Sequence, residues 1–101
     1  MVRIVFSKVA KFDLKEIVEY IKRGSVRYAL LEKQYIVKTI DQLSLQPEIG
    51  KVFNENPNLR ELVFRNYRII YQIVSDSQIH ILTIHHHARS ITNNPAFNAE
   101  D

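Results

Sequence analysis

Leu59-Arg60-Glu61-Leu62-Val63-Phe64, Tyr67-Arg68-Ile69-Ile70-Tyr71-Gln72-Ile73 and Ile79-His80-Ile81-Leu82-Thr83-Ile84-His85-His86-His87-Ala88-Arg89 decide how this chain folds. Each run is rich in β-branched and aromatic residues, and the breaks between them, Arg65-Asn66 and Ser75-Asp76-Ser77, are short and polar. Breaks that short force antiparallel hairpins, so a three-strand meander is expected over Leu59–Arg65, Tyr67–Val74 and Gln78–His87. Each strand also carries an arginine or histidine that a purely structural sheet does not need.

Upstream of the meander the hydrophobic period changes. Val2 to Phe6 is rich in β-branched residues and reads as a first strand, followed by Ser7 where a helix N-cap belongs. Ala10, Leu14, Ile17, Val18 and Ile21 recur at spacings of three and four, which predicts an amphipathic helix from Lys8 to Arg23 with Gly24 as its C′ residue. Ser25 then offers a second N-cap, and Ala29, Ile36, Ile40 and Leu43 continue a helical pattern until Pro47 forbids it. A connecting loop is expected from Glu48 to Asn58, which holds Gly50 and Pro57. The expected order is β-α-α-β-β-β. This is an α+β fold with a helical hairpin packed on one face of a small, mainly antiparallel sheet.

One domain over residues 1–90 with a C-terminal tail at 91–101 follows from a length of 101 residues, which supports one core and not two. Apolar content of 46% and charged content of 25% are those of an ordinary globular protein, so neither disorder nor membrane residence is expected. No apolar run approaches the ~20 residues of a membrane span, and Met1-Val2-Arg3-Ile4-Val5-Phe6 is too short for a secretory segment, so the expected location is the cytoplasm. The absence of cysteine excludes disulfides and zinc–sulfur sites, and two glycines cannot build a Gly-rich phosphate cradle. No cofactor is expected. A net charge of +3, spread from Arg3 to Arg89, allows an anionic partner without requiring one.

Arg60, Arg68 and Arg89 fall on neighbouring strands or at a strand exit, where a meander can bring them together. Guanidinium groups suit phosphate because each offers a planar fork of donors and keeps its charge at any physiological pH. The alternative is that each is a solvated or ion-paired surface residue, with Glu61, Glu55 or Asp76 as partner. On an extended strand only His85 and His87 share a side of the triple histidine, and two histidines without a nearby carboxylate are a weak ligand set, so no metal site is expected. A histidine here is better suited to general acid or base chemistry beside an arginine. Period two puts Tyr67, Ile69, Tyr71 and Ile73 on one side of the middle strand and Arg68, Ile70, Gln72 and Val74 on the other. Both sides are thus partly apolar, which calls either for the chain's own cover or for a protein partner.

Ser7-x-x-Ala10-x-x-Asp13-Leu14-x-x-Ile17-x-x-Tyr20-Ile21, then Ser25, Ala29, Ile36, Ile40, Leu43, Pro47 and Gly50, then Leu59-Arg60-Glu61-Leu62, Tyr67-Arg68-Ile69-Ile70-Tyr71 and His87-Ala88-Arg89 together form a signature. In order and spacing it resembles the RelE/ParE superfamily of bacterial type II toxins, over nearly the whole stretch from Val2 to Arg89. The resemblance implies a compact toxin neutralised by the C-terminal part of a cognate antitoxin, for which Tyr67, Ile69, Tyr71 and Ile73 are the expected contact residues. It also implies one of two activities. RelE-like members cut messenger RNA in the ribosomal A site, whereas ParE-like members inhibit DNA gyrase and cut nothing. Arg68 and Arg89 match two arginines that look catalytic in RelE-like nucleases, with His85, His86 or His87 to fill the place of the acid or base, and Arg60 stands where such nucleases carry a lysine. The neighbours Glu61, Leu62 and Val63 depart from that basic strand, and Ser90 to Asp101 lacks the late tyrosine. The long helical hairpin and the His-Ala-Arg ending are more similar to the ParE side, so a ParE-like gyrase inhibitor is expected. A ribosome-dependent endoribonuclease is the alternative, and a non-toxic binding module of the same fold is a third reading.

Overall fold

The structure, a computed structural model, describes residues 2–53 and 56–86. Strand β1 (Arg3–Phe6) leads into helix α1 (Lys8–Lys22), then helix α2 (Val26–Asp41), which runs into a 3-10 helix at Gln42–Ser44. Strands β2 (Lys51–Val52), β3 (Leu59–Phe64), β4 (Tyr67–Ser75) and β5 (Gln78–His86) follow. The two helices pack against a five-stranded mixed sheet of order β1-β5-β4-β3-β2, in which β1 runs parallel to β5 and every other pair is antiparallel. The α+β architecture is therefore the expected one, with one strand more than expected. Lys51–Val52 lies in the predicted loop and pairs with Glu61 and Arg60. The predicted tail at 91–101 lies outside the described residues.

Both helix starts are side-chain caps. Ser7 accepts from the Ala10 N–H and Ser25 from the Tyr28 N–H, each at 3.0 Å, which satisfies donors that a helix start leaves open. The end of α1 differs from expectation. Gly24 has no positive φ, and Arg23 caps the helix in right-handed geometry while the Gly24 and Ser25 N–H groups both donate to the Ile21 carbonyl. The chain passes straight from the last turn of α1 into the cap of α2, with no left-handed residue between.

The core lies between the helical hairpin and one sheet face. Ala10 and Ile17 of α1 and Ile36 and Ile40 of α2 meet Tyr67, Ile69 and Tyr71 of β4 and Ile79, Ile81 and Ile84 of β5, all buried. The last three keep this face despite the spacing of three between Ile81 and Ile84. A bulge absorbs the extra residue: Tyr71 pairs with Ile81 and Ile70 with Thr83, leaving Leu82 between them. Beyond Phe6, β1 no longer covers the edge of β5, and α1 takes over. The Ser7 hydroxyl donates to the Leu82 carbonyl at 2.8 Å, while Asp13 Oδ2 accepts from the Thr83 hydroxyl at 2.5 Å and from the Ile84 N–H at 3.0 Å. Side chains of α1 thus stand in for a missing neighbouring strand.

Candidate functional site

The two sides of the middle strand differ in what covers them. Tyr67 is 2% exposed, and Ile69 and Tyr71 are 0% exposed, because α1 and α2 already cover that side. The chain's own hairpin thus covers these three side chains, which were expected to meet an antitoxin. Ile73 differs, being half-buried and lining a surface cavity of about 460 Å³ with Pro47, Glu48 and Ile49.

The expected arginine cluster does not assemble among the described residues. Arg60 pairs in register with Tyr71, which places it on the helix side of the sheet. There its Nη1 donates to the Gly50 carbonyl at 2.8 Å and to the Glu48 carbonyl at 3.3 Å. Tyr71 completes the fastening by donating to the Pro47 carbonyl at 2.7 Å and accepting the Gly50 N–H at 2.9 Å. Arg60 is thus a strap on the segment 47–50. Burial pushes the Tyr71 phenol above the usual tyrosine range, and the Gly50 N–H offsets part of that rise.

Arg68 pairs with Val63 on one side and His85 on the other, so all three project from the open face, opposite to Arg60. Its Nε forms an ion pair with Glu61, diagonal to it across β3. Glu61 is mostly covered and the guanidinium about half exposed, so this arginine carries a compensating charge beside it. His85 is exposed on the same face, next to Arg68 in register. His86 faces inward and stacks on Tyr67, with centroids 4.9 Å apart. His87 and Arg89 lie outside the described residues.

A second polar cluster, which the sequence reading did not single out, fastens the β3–β4 hairpin to α2. Glu32 is buried on the core face of α2, where its Oε1 accepts from Arg65 Nη1 at 2.7 Å and its Oε2 from the Tyr67 hydroxyl at 3.0 Å. The Arg65 guanidinium lies over the rings of Tyr35, at 4.6 Å, and Phe64, at 5.1 Å. Arg65 adopts φ of 56°, the left-handed geometry of a two-residue hairpin, and its side-chain contacts hold it there. Burial, then the bond to Glu32, pushes the Tyr67 phenol far above the usual tyrosine range. A charged residue at the i+3 position of the apolar series Ala29, Glu32, Ile36 was the signal for this cluster.

Tyr67 and Tyr71 are thus core groups that keep their protons, and the two described arginines of the expected cluster are turned to opposite faces. What the arrangement offers is exposed apolar side chains on both the helices, among them Phe12, Tyr28 and Leu30, and the open sheet face, with Val63. No helix among the described residues is long and apolar enough to cross a membrane.

No curated protein matches this sequence at a significant level. A chain from a structure described as the chromosomal ParDE TA system from P. aeruginosa is similar in fold, with a TM-score of 0.73 at 23% identity, over 85% of this chain and 96% of that one. The model of a protein family described as ParE toxin of type II toxin-antitoxin system, parDE, matches residues 4–91. That match spans the helical hairpin and the whole meander, and this chain therefore belongs to the ParE toxin family of type II toxin–antitoxin systems.

Proposed function

We propose that the protein acts in the cytoplasm as a ParE-like toxin that arrests growth by inhibiting DNA gyrase, and that a cognate antitoxin neutralises it. The observation that carries this reading is the separation of the arginines. A nuclease needs cationic groups converging on one phosphate, whereas Arg60 is turned to the helix side and bonded to carbonyls, and Arg68 is turned to the open face against Glu61. Both buried tyrosines favour their neutral forms and are enclosed by the core. A protein that works by binding needs none of these groups to titrate.

The ribosome-dependent endoribonuclease keeps one observation in its favour, the register pairing of Arg68 with His85 on an exposed face. Induction of the toxin in cells separates the two readings. Gyrase inhibition predicts relaxation of a reporter plasmid, intact messages, and toxicity that survives His85→Ala. Cleavage of messages in the ribosomal A site, abolished by His85→Ala, would overturn the gyrase reading.

A further inference from the structure

The cavity beside Ile73 holds about 460 Å³ and lies between the segment that follows the 3-10 helix and the end of β4. Pro47, Ile49 and Ile73 line it with Gln46 and Ser75, and two carboxylates, Glu48 and Asp76, complete the lining. Pro47 and Ile73 are half-buried and the other five residues are exposed. Among the described residues no lysine or arginine lines it, and neither carboxylate forms an ion pair.

Both walls are fixed in place. The Gln46 N–H donates to the Gln42 carbonyl at 2.9 Å and the Ile49 N–H to the Gln46 carbonyl at 3.2 Å, while Tyr71 and Arg60 fasten Pro47, Glu48 and Gly50. On the other wall Ile73 pairs with Ile79 and Ser75 with Gln78, which leaves Val74 between them as a bulge. The Ser75 hydroxyl accepts the Ser77 N–H at 3.2 Å across the turn that carries Asp76. A pocket shaped before its occupant arrives loses little entropy in filling.

The pocket is opposite in sign to the chain, whose net charge is +3 and whose lysines and arginines fall, eight of fourteen, between Lys8 and Lys38. It therefore disfavours phosphate and acidic segments, and its apolar lining suits the aliphatic stem of a long basic side chain. A metal ion is a poor fit, since no group of three ligating side chains occurs among the described residues. A second copy of this chain would offer its cations from a different patch, so copies would join head to tail.

We propose that this pocket receives an arginine side chain of the protein that the toxin inhibits, with its stem against Pro47, Ile49 and Ile73 and its guanidinium against Glu48 and Asp76. The inference rests on the gyrase reading, because a protein that holds DNA presents arginines on its surface. Arginine suits the pocket better than lysine: a guanidinium is more weakly hydrated than an ammonium and offers five donors, enough for both carboxylates and the Ser75 hydroxyl. A cavity near the lower end of the roughly 300–1,000 Å³ range of ligand sites takes one side chain, as an anchor within a wider interface.

The test uses the full chain, isotope-labelled, titrated with N-acetyl-arginine methylamide and, as an uncharged control of the same shape, N-acetyl-citrulline methylamide. Chemical-shift changes with the arginine amide should centre on Ile49, Ile73, Ser75 and Asp76, and should vanish with citrulline and in the Glu48→Gln/Asp76→Asn variant. Both substituted residues are exposed, and an unchanged unfolding midpoint checks that the fold survives. On induction in cells that variant should need at least about fivefold more inducer for half-maximal arrest, while the neighbouring gene's product binds it as tightly as the wild type. Equal shifts with citrulline, shifts centred elsewhere, undiminished arrest by the variant, or loss of its binding to the neighbouring gene's product would overturn the proposal. Purified gyrase separates the pocket from the function itself. Wild-type toxin that arrests growth but leaves supercoiling intact defeats the gyrase reading alone, whereas equal inhibition of gyrase by variant and wild type defeats the pocket alone.

Discussion

At Gly50 a Cβ would lie 2.6 Å from the Tyr71 hydroxyl and 3.0 Å from the Glu61 carbonyl, closer than packed atoms tolerate. Glycine is needed there because the chain must pass against the phenol that fastens it, not because of its φ. Gly50→Ala should therefore lower the unfolding free energy by about 1–3 kcal/mol in a denaturant titration. Tyr71→Phe should cost a similar amount by leaving the Gly50 N–H and Pro47 carbonyl without their partner. Tyr67 and Tyr71 also set a pH dependence. Both ionise above their ordinary value of 10.0 in the folded state, so folding holds protons that the unfolded chain releases. Their contribution is whole below about pH 10 and fades as pH rises toward the folded-state values. Unfolding midpoints measured between pH 8 and pH 12 should fall above pH 10, and fall less steeply in Tyr67→Phe.

Asp13 shows how one element completes another. It occupies two donors on the part of β5 that β1 leaves open, so Asp13→Ala should expose the Ile84 N–H, speed its hydrogen exchange, and cost about 1–3 kcal/mol. Equal exchange at Ile84 in variant and wild type would contradict this role. The sequence carried the sign of the neighbouring bulge in the three-residue step from Ile81 to Ile84, since period two has no place for it. The helices and long strands were legible because each repeats its period several times and is bounded by Ser7, Ser25 or Pro47. Strand β2 was not. Two residues carry no period, and Lys51–Val52 pairs with β3 beside a loop that Arg60 and Tyr71 hold in place. The arginines were legible as a set of cations but not as a site, because period two fixes only alternation within a strand. The register of β3 on β4 decides that Arg60 joins Tyr71 while Arg68 joins Val63.

For the molecule as a whole, the hairpin divides the surface into two sides of different character. One sheet face is closed by α1 and α2, which bury Tyr67, Ile69 and Tyr71. The other carries Arg68, Glu61 and His85, charged and partly compensated. A toxin that works by binding draws on surfaces, so single substitutions of exposed residues should lower its potency in grades and none should act as an all-or-none switch. Arg68→Ala is expected to weaken growth arrest by less than about tenfold, measured as the inducer concentration needed for half-maximal arrest. Loss of a catalytic arginine would instead remove arrest outright. The most direct measurement is the supercoiling of relaxed plasmid by purified gyrase with the purified toxin in molar excess. Supercoiling should fail, with cleaved plasmid accumulating as the gyrase–DNA complex is trapped; undiminished supercoiling at saturating toxin would contradict the account.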